Sequence, residues 1–204
     1  MSDFPREQIT ALILAGGRGS RFDGSDKGLI DFKGQPMVSH VLNALAKQVH
    51  LVLVSANRHL EQYEALGVPV VRDRLADYQG PLAGIEAGLS ICPTAYMAVF
   101  PCDAPLLDSS LLANLYQILE RTNANIVYAT SRHGSDTYPE PTFALIRTYM
   151  LGELRTFLDS GRRKLLDWYQ STDYAECLFE DATCFANANT ADELKRLATL
   201  SRRA

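Results

Sequence analysis

The sequence predicts an α/β fold: one domain, doubly wound around a mostly parallel sheet. Two observations predict it. Short runs of branched apolar residues, suited to strands buried on both faces, alternate with segments whose apolar residues recur at helical spacing. Right-handed crossovers between such strands give a doubly wound sheet. The residues with the most chemistry to offer also follow directly after the apolar runs. That places them at the carboxyl edge of the sheet, where ligands bind in such folds.

The first run, Ile9 to Leu14, has the length and composition of a buried strand. It opens onto a stretch reading LAGGRGSRFDGSDKGL over 14–29. Gly16, Gly17, Gly19 and Gly24 let the backbone turn tightly and bare its N–H groups. Arg18, Arg21 and Lys27 stand among them. Cations set among exposed N–H groups suit a polyanion, and a triphosphate is the obvious candidate. The stretch matches neither common phosphate template. Gly19 to Gly24 has P-loop spacing, but Ser25-Asp26 follows where Lys-Ser/Thr is required, and a dinucleotide fingerprint needs a glycine where Phe22 stands. A strand-to-helix turn without a ligand is the competing reading.

A second apolar stretch covers Leu29 to Phe32. Pro36 suits the first position of a helix, and Met37, Val38, Val41, Leu42 and Leu45 carry that helix to about Gln48. Val49 to Ser55 reads as the second buried strand. A helix over Leu60 to Leu66 ends at Gly67. Val68 to Val71 is the third strand, closed by Arg72-Asp73. Gly80-Pro81 opens a helix to about Ile91. Ala95 to Phe100 is the fourth strand, stopped by Pro101-Cys102-Asp103-Ala104-Pro105. Asp108 can cap a helix from Ser109 to Arg121, and Ala124 to Thr130 is the fifth strand. Beyond it, Arg132 to Glu140 reads as a polar loop and Thr142 to Arg147 as a strand. Leu151 to Leu158 and Lys164 to Tyr169 are helical, while Cys177 to Phe179 and Thr183 to Phe185 are short extended pieces. Thr190-Ala191-Asp192-Glu193 is a capping box for a last helix. No repeat or flexible linker interrupts the chain. About 9–131 is the part that carries the candidate triphosphate loop, and about 132–204 reads as an extension of the same domain and a natural place for a second substrate.

Composition excludes several classes. The chain has 204 residues, of which 47% are hydrophobic and 22% charged, and a net charge of −4. Such a chain buries a sizeable core. It has no basic excess to neutralise nucleic-acid phosphates. Its apolar runs are too short to cross a bilayer. The N-terminal MSDFPREQIT lacks the apolar core of a signal peptide, so a cytoplasmic protein is the expectation. Cys92, Cys102, Cys177 and Cys184 form no CxxC pair and fit no zinc spacing, so they read as reduced, mostly buried thiols.

Asp103 lies between Pro101 and Pro105 at the end of a strand. A carboxylate there suits Mg²⁺, which takes one or two carboxylates together with phosphate oxygens; a turn residue or helix cap is the alternative. Lys27 and Arg21 are the candidates for neutralising charge on a reacting phosphate. Asp26 reads as a loop salt bridge to Lys27. The histidines, at 40, 50, 59 and 133, do not cluster, and the sequence offers no His–carboxylate pair. Tyr96, Phe100, Trp168 and Tyr169 read as packing.

The loop at 14–29 resembles the signature loop of the nucleotidyltransferases that activate phosphorylated compounds with NTPs. Together with ANRH at 56–59, DRLADYQGPLAGI at 73–85, PCDAP at 101–105 and FANANT at 185–190, it makes the chain similar to the molybdenum cofactor guanylyltransferases, the MobA type. The resemblance implies a Rossmann-like nucleotidyltransferase fold. It implies transfer of GMP from GTP to the terminal phosphate of molybdopterin, giving molybdopterin guanine dinucleotide and pyrophosphate, with Mg²⁺ as cofactor. It places Leu14, Ala15, Gly16 and Gly17 on the nucleotide, with Gly80, and Lys27 on the phosphates. Asp73 contacts the nucleotide, Asp103 holds Mg²⁺, and Arg21 acts on the transferring phosphate. Ser55 occupies a nucleotide contact where asparagine is usual, and Phe22-Asp23 stands where Met-Gly is usual. Asn187 and Asn189 match the pattern on the pterin side. Other molybdenum cofactor biosynthesis proteins and apo-molybdoenzymes are the further partners implied, and a monomer is the expectation.

The implied chemistry is coherent with the residues present. A phosphate monoester has a second pKa near ~6, so at neutral pH it is largely dianionic and already a nucleophile. The task left to the protein is to bring that dianion to a triphosphate, which asks for cations rather than a strong base. Three rival readings compete: a sister enzyme using CTP on molybdopterin or an NTP on a sugar phosphate, a non-catalytic nucleotide-binding homologue, and an NAD-binding domain, which fails on the missing third glycine.

Overall fold

The computed structural model describes residues 4–15, 26–74, 80–108, 110–187 and 191–200. β1 (Ile9–Leu14) leads into the loop that carries Gly16, Gly17 and Arg21, which lie outside the described residues. A 3₁₀ turn (Lys27–Leu29) follows, then a small hairpin of β2 (Asp31–Phe32) and β3 (Gln35–Pro36). Next come α1 (Met37–Leu45), β4 (Leu51–Ser55), α2 (Leu60–Glu64), β5 (Val70–Val71), α3 (Pro81–Ile91) and β6 (Tyr96–Pro101). The second half has α4 (Leu111–Thr122), β7 (Ile126–His133), β8 (Asp136–Arg147), α5 (Leu151–Asp159), α6 (Leu165–Tyr169), β9 (Tyr174–Phe179) and α7 (Ala191–Leu200).

Seven strands form one sheet in the order β5-β4-β1-β6-β8-β7-β9. β5, β4, β1 and β6 pair parallel, as do β7 and β9, and β8 runs antiparallel to both of its neighbours. The mostly parallel, doubly wound α/β sheet is therefore present.

Period-two alternation explains why the strands are apolar throughout. Ile9, Ala11 and Ile13 point to one face with Val52, Val54, Ala98 and Phe100. There they meet Val38, Val41 and Leu45 of α1 and Leu111, Leu115 and Leu119 of α4. Leu12, Leu53, Met97 and Val99 point to the other face. They meet Leu82, Ile85 and Leu89 of α3, Leu154 and Phe157 of α5, and Trp168 and Tyr169 of α6. Each fully buried Val, Leu, Ile, Met or Phe side chain among these contributes about 1.5–3 kcal/mol of transfer free energy. Tyr96, Phe100, Trp168 and Tyr169 are all buried, as their packing reading requires. The four cysteines are free thiols, three of them buried.

Several expectations are corrected. Pro36 is not the first helical residue: with φ −55° and ψ 142° it closes the small hairpin, and Met37 begins α1. The helix ends at Leu45 rather than near Gln48. The third strand shortens to two residues. Arg132 to Glu140 is not a loop. His133 pairs with Asp136 across a two-residue turn at Gly134 (φ +64°), and β7 and β8 form a long hairpin. Pro139 and Pro141 sit in β8 because this half pairs with β7 alone; β6 joins only from Ala144 onward. A strand with one free edge tolerates residues that cannot donate there. Thr183–Phe185 is a 3₁₀ turn rather than an extended piece.

Candidate active site

The strand order reverses at β1. From β1 the chain moves outward to β4 and β5, then returns to lay β6 on the other flank. The carboxyl ends of β1, β4 and β6 thus border the crevice that this topology opens to ligands. Leu14 ends β1 opposite Ser55 and Pro101. The Ala15 amide donates to the Ser55 carbonyl at 2.8 Å, and the Cys102 amide donates to the Leu14 carbonyl at 3.1 Å. These bonds extend both ladders by a residue and hold the three ends together.

Lys27 and Asp103 meet at this edge. Lys27 Nζ lies 3.2 Å from Asp103 Oδ2, with the two side chains 26% and 12% exposed. Asp103 shows no nearby cation in the sequence; the fold supplies one from 76 residues away. Asp26 does not serve as a simple loop salt bridge. Its Oδ1 accepts the Gly28 amide at 3.2 Å and the Tyr63 hydroxyl at 2.5 Å, and it is buried.

A second polar group forms beyond β4 and β5. Asn57 Nδ2 donates to Asp73 Oδ2 at 2.7 Å, the Asp73 amide donates to Asn57 Oδ1 at 3.0 Å, and Ser55 Oγ donates to Asp73 Oδ1 at 3.5 Å. Burial pushes the Asp73 carboxyl above its usual range, while the bonds from Asn57 and Ser55 pull it back in part. Ser55, which stands where asparagine is usual in the resemblance, therefore serves as a buried hydrogen-bond donor to Asp73. Asn57 was legible in the sequence as a polar residue at a strand end, within the ANRH motif; its pairing with Asp73 needs β5 beside β4.

Gly80 precedes α3 with φ +82° and ψ −172°, a conformation open in practice to glycine alone. Pro81 follows at the first helical position, as the sequence predicts. On α3, buried Glu86 accepts from Arg155 Nε at 2.8 Å and lies 3.5 Å from Arg74 Nη1. This carboxylate ties the residue after Asp73, and α5, to the helix that Gly80 starts. Glu86 gave no signal beyond being one charge within an apolar helix.

Asn187 is exposed, and Asn189 lies outside the described residues. Ala186 packs on a cluster of Phe32, Met37 and Leu197, which Ile30 and Leu106 also touch. The segment carrying Asn187 is thus anchored beside the chain that follows Lys27 and the chain that follows Asp103. The sequence shows no His–carboxylate pair, but the fold makes one: His50 Nδ1 lies 3.0 Å from Glu7 Oε2. It is exposed and sits at the amino end of β1 and β4, the edge opposite the site. Among the described residues no group of three or more His, Cys, Asp or Glu could hold a metal.

Comparison with known proteins shows the family. A sequence profile of the MobA-like NTP transferase domain matches residues 11–173. A molybdenum cofactor guanylyltransferase of Ralstonia pickettii is 45% identical over 95% of this chain and 98% of its own. One from Bordetella petrii is 46% identical over 94% of this chain and 98% of its own. The crystal structure of molybdopterin-guanine dinucleotide biosynthesis protein A from Archaeoglobus fulgidus superposes with a TM-score of 0.76 at 24% identity, covering 96% of this chain and 100% of that one. The chain belongs to the MobA-like NTP transferase family and is a nucleotidyltransferase.

Proposed function

We propose that the protein transfers GMP from GTP to the terminal phosphate of molybdopterin, forming molybdopterin guanine dinucleotide and releasing pyrophosphate. The observation that carries this reading is the Lys27–Asp103 pair at the carboxyl edge where β1, β4 and β6 meet. A cation and a carboxylate held together there are the two tools that a nucleotidyl transfer needs: one for phosphate charge, the other for a divalent ion. Relatives covering nearly the whole chain carry the name molybdenum cofactor guanylyltransferase, which supports GTP as donor and molybdopterin as acceptor.

A mostly buried carboxylate that belongs to no larger cluster of ligands among the described residues fits Mg²⁺, which is held by one or two carboxylates plus phosphate oxygens and waters. When bound at Asp103, the ion supplies charge neutralisation between the triphosphate and the incoming phosphate. Lys27 leaves Asp103 for the phosphates as nucleotide enters, and Arg21 acts on the transferring phosphate. Leu14, Ala15, Gly16, Gly17 and Gly80 border the nucleotide. Asp73, oriented by Asn57 and Ser55, accepts hydrogen bonds from it. Asn187 and Asn189 contact the pterin side. Residues 1–204 act as one domain, with about 9–131 on the nucleotide and about 132–204 on the acceptor. Within this proposal the enzyme is a cytoplasmic monomer without nucleic-acid or membrane partners, passing its product to other cofactor-biosynthesis proteins and apo-molybdoenzymes. Among the described residues no helix is long and apolar enough to cross a membrane.

The test is turnover of purified protein with molybdopterin, Mg²⁺ and GTP, CTP, ATP or UTP in turn, reading pyrophosphate and the dinucleotide product. GTP-selective product supports the proposal. A CTP preference moves the assignment to a cytidylyl transfer, and pyrophosphate without a pterin dinucleotide moves it to another acceptor.

A further inference from the structure

Lys27 and Asp103 come from segments far apart in sequence, yet their side chains meet within 3.2 Å. The residues next to them explain why. Gly28, after Lys27, packs directly on Cys102, before Asp103: a Cβ at position 28 would lie 3.2 Å from both Cys102 Cβ and Cys102 Sγ. Tyr63 closes the other side. Its ring is wholly buried, and its Oη would be 2.6 Å from that same Cβ. Only glycine lets the turn slide between the two.

The Tyr63 hydroxyl is also bonded. It donates to Asp26 Oδ1 at 2.5 Å, the oxygen that also accepts the Gly28 amide at 3.2 Å. Asp26 is the N-cap of the turn, and its carbonyl accepts the Leu29 amide at 3.1 Å. The residues on both sides of Lys27 are therefore fixed to one buried oxygen. A carboxylate buried at 8% exposure persists only while it is hydrogen-bonded. Burial raises the phenol's pKa, with the neighbouring Cys102 and Asp26 acting in the same direction, so Tyr63 remains a donor at any working pH.

We propose that Tyr63 is a positioning residue for the transfer reaction: through Asp26 it sets the turn that aims Lys27 at Asp103 and the nucleotide phosphates. The proposal rests on Lys27 and Asp103 working as assigned above. It concerns geometry rather than charge, so an amide that keeps the shared acceptor oxygen preserves the function. Asparagine caps such turns as well as aspartate does.

Three variants test it: Tyr63→Phe, Asp26→Ala and Asp26→Asn. Two readouts are taken. One is kcat and KM with GTP, Mg²⁺ and molybdopterin. The other needs no activity: the acylation rate of Lys27 in nucleotide-free protein, read by mass spectrometry against Lys47 and Lys164 as internal standards. Tyr63→Phe keeps the ring in place, and its melting profile confirms a folded protein. Expected for Tyr63→Phe and Asp26→Ala is a fall in kcat of about 10–100-fold, the order of loss that a misplaced group of about 1 Å produces. KM for GTP changes less, and Lys27 labelling rises selectively. Asp26→Asn stays close to wild type in both readouts. Because both losses act through one oxygen, the Tyr63→Phe/Asp26→Ala double variant loses no more than Asp26→Ala alone. Wild-type kcat and Lys27 labelling in a folded Tyr63→Phe protein overturn the proposal, as does a loss in Asp26→Asn equal to that in Asp26→Ala. If the wild type fails to turn over GTP, the functional reading fails, and the labelling series still decides whether Tyr63 positions Lys27.

Discussion

Lys27 Nζ and Asp103 Oδ2, 3.2 Å apart, hold each other in the nucleotide-free fold. In the proposed mechanism each occupies the other's place for a ligand: a phosphate for the lysine, a divalent ion for the aspartate. Both partners must therefore be exchanged when nucleotide and metal enter. Replacing either with alanine removes a preorganised charge from the site. Lys27→Ala is expected to lower kcat by about 10²–10³-fold, and Asp103→Ala to abolish measurable turnover. Steady-state kinetics against GTP checks both. Wild-type rates in either variant remove the pair from the mechanism.

Asp73 links stability to pH with a definite sign. Its carboxyl is raised above the usual 3.8 by burial. Its favourable contribution is therefore complete below the unfolded value and is lost as pH rises through the folded value. At neutral pH the ionised group costs stability, and in the proposed mechanism that charge is what recognises the nucleotide. Asp73→Asn is expected to melt at or above the wild-type temperature at pH 7, with the difference closing as pH falls toward 4, and to bind nucleotide more weakly. Melting curves from pH 4 to 8, with and without GTP and Mg²⁺, decide this. An Asp73→Asn protein less stable than wild type at pH 7 contradicts the account.

Glu86 is buried on α3 and bonded to Arg155, whose own side chain is 45% exposed. Removing the arginine strands a carboxylate that is hard to hydrate. Solvent around Arg155 and the second cation, Arg74 at 3.5 Å, soften the loss. Arg155→Ala should cost about 1–2 kcal/mol, a drop of about 2–8 °C in Tm for a chain of this size. Glu86→Gln, which removes the charge and keeps the shape, should cost less. Thermal denaturation of the two variants tests the order.

Gly80 adopts a backbone conformation that even asparagine, the usual stand-in at left-handed positions, does not reach. Gly80→Ala and Gly80→Asn should destabilise alike, by about 1–3 kcal/mol. At Gly67, where φ is +76° and a Cβ would meet nothing within 4 Å, alanine should be costly and asparagine mild. A Gly80→Asn protein as stable as wild type removes the conformational argument.

A nucleotide that binds only the native state raises stability by about 2.7 kcal/mol at a hundredfold excess over its Kd. With GTP and Mg²⁺ together the shift should exceed the sum of the two separate shifts, because in the proposed mechanism each ligand frees the residue the other needs. Additive shifts would show that the Lys27–Asp103 pair does not couple the two.

Much of the molecule is written in local pattern. Strands buried on both faces need unbroken apolar runs, so β1, β4 and β6 are visible as sequence; helical spacing marks α1, and Gly80-Pro81 marks the start of α3. The carboxyl-edge position of Ser55, Asp73 and Asp103 follows from being the residues at or just after strands in a parallel sheet, and so was open to reading. What the chain order conceals is which edges become neighbours. The reversal of strand order at β1 brings Asp103 to Lys27, the pairing of β5 with β4 brings Asn57 to Asp73, and the placement of α2 brings Tyr63 to Asp26. None of these pairs has a sequence signal, because contact across parallel strands depends on crossover and register rather than on spacing. The β7–β8 hairpin was hidden for a related reason. Its prolines argue against a strand until the sheet shows that this half of β8 has a free edge, where a missing donor costs nothing. Local composition decides which residues stand at the site's rim; three-dimensional packing decides which of them hold one another, since a buried carboxylate or phenol is stable only beside the partner the fold provides.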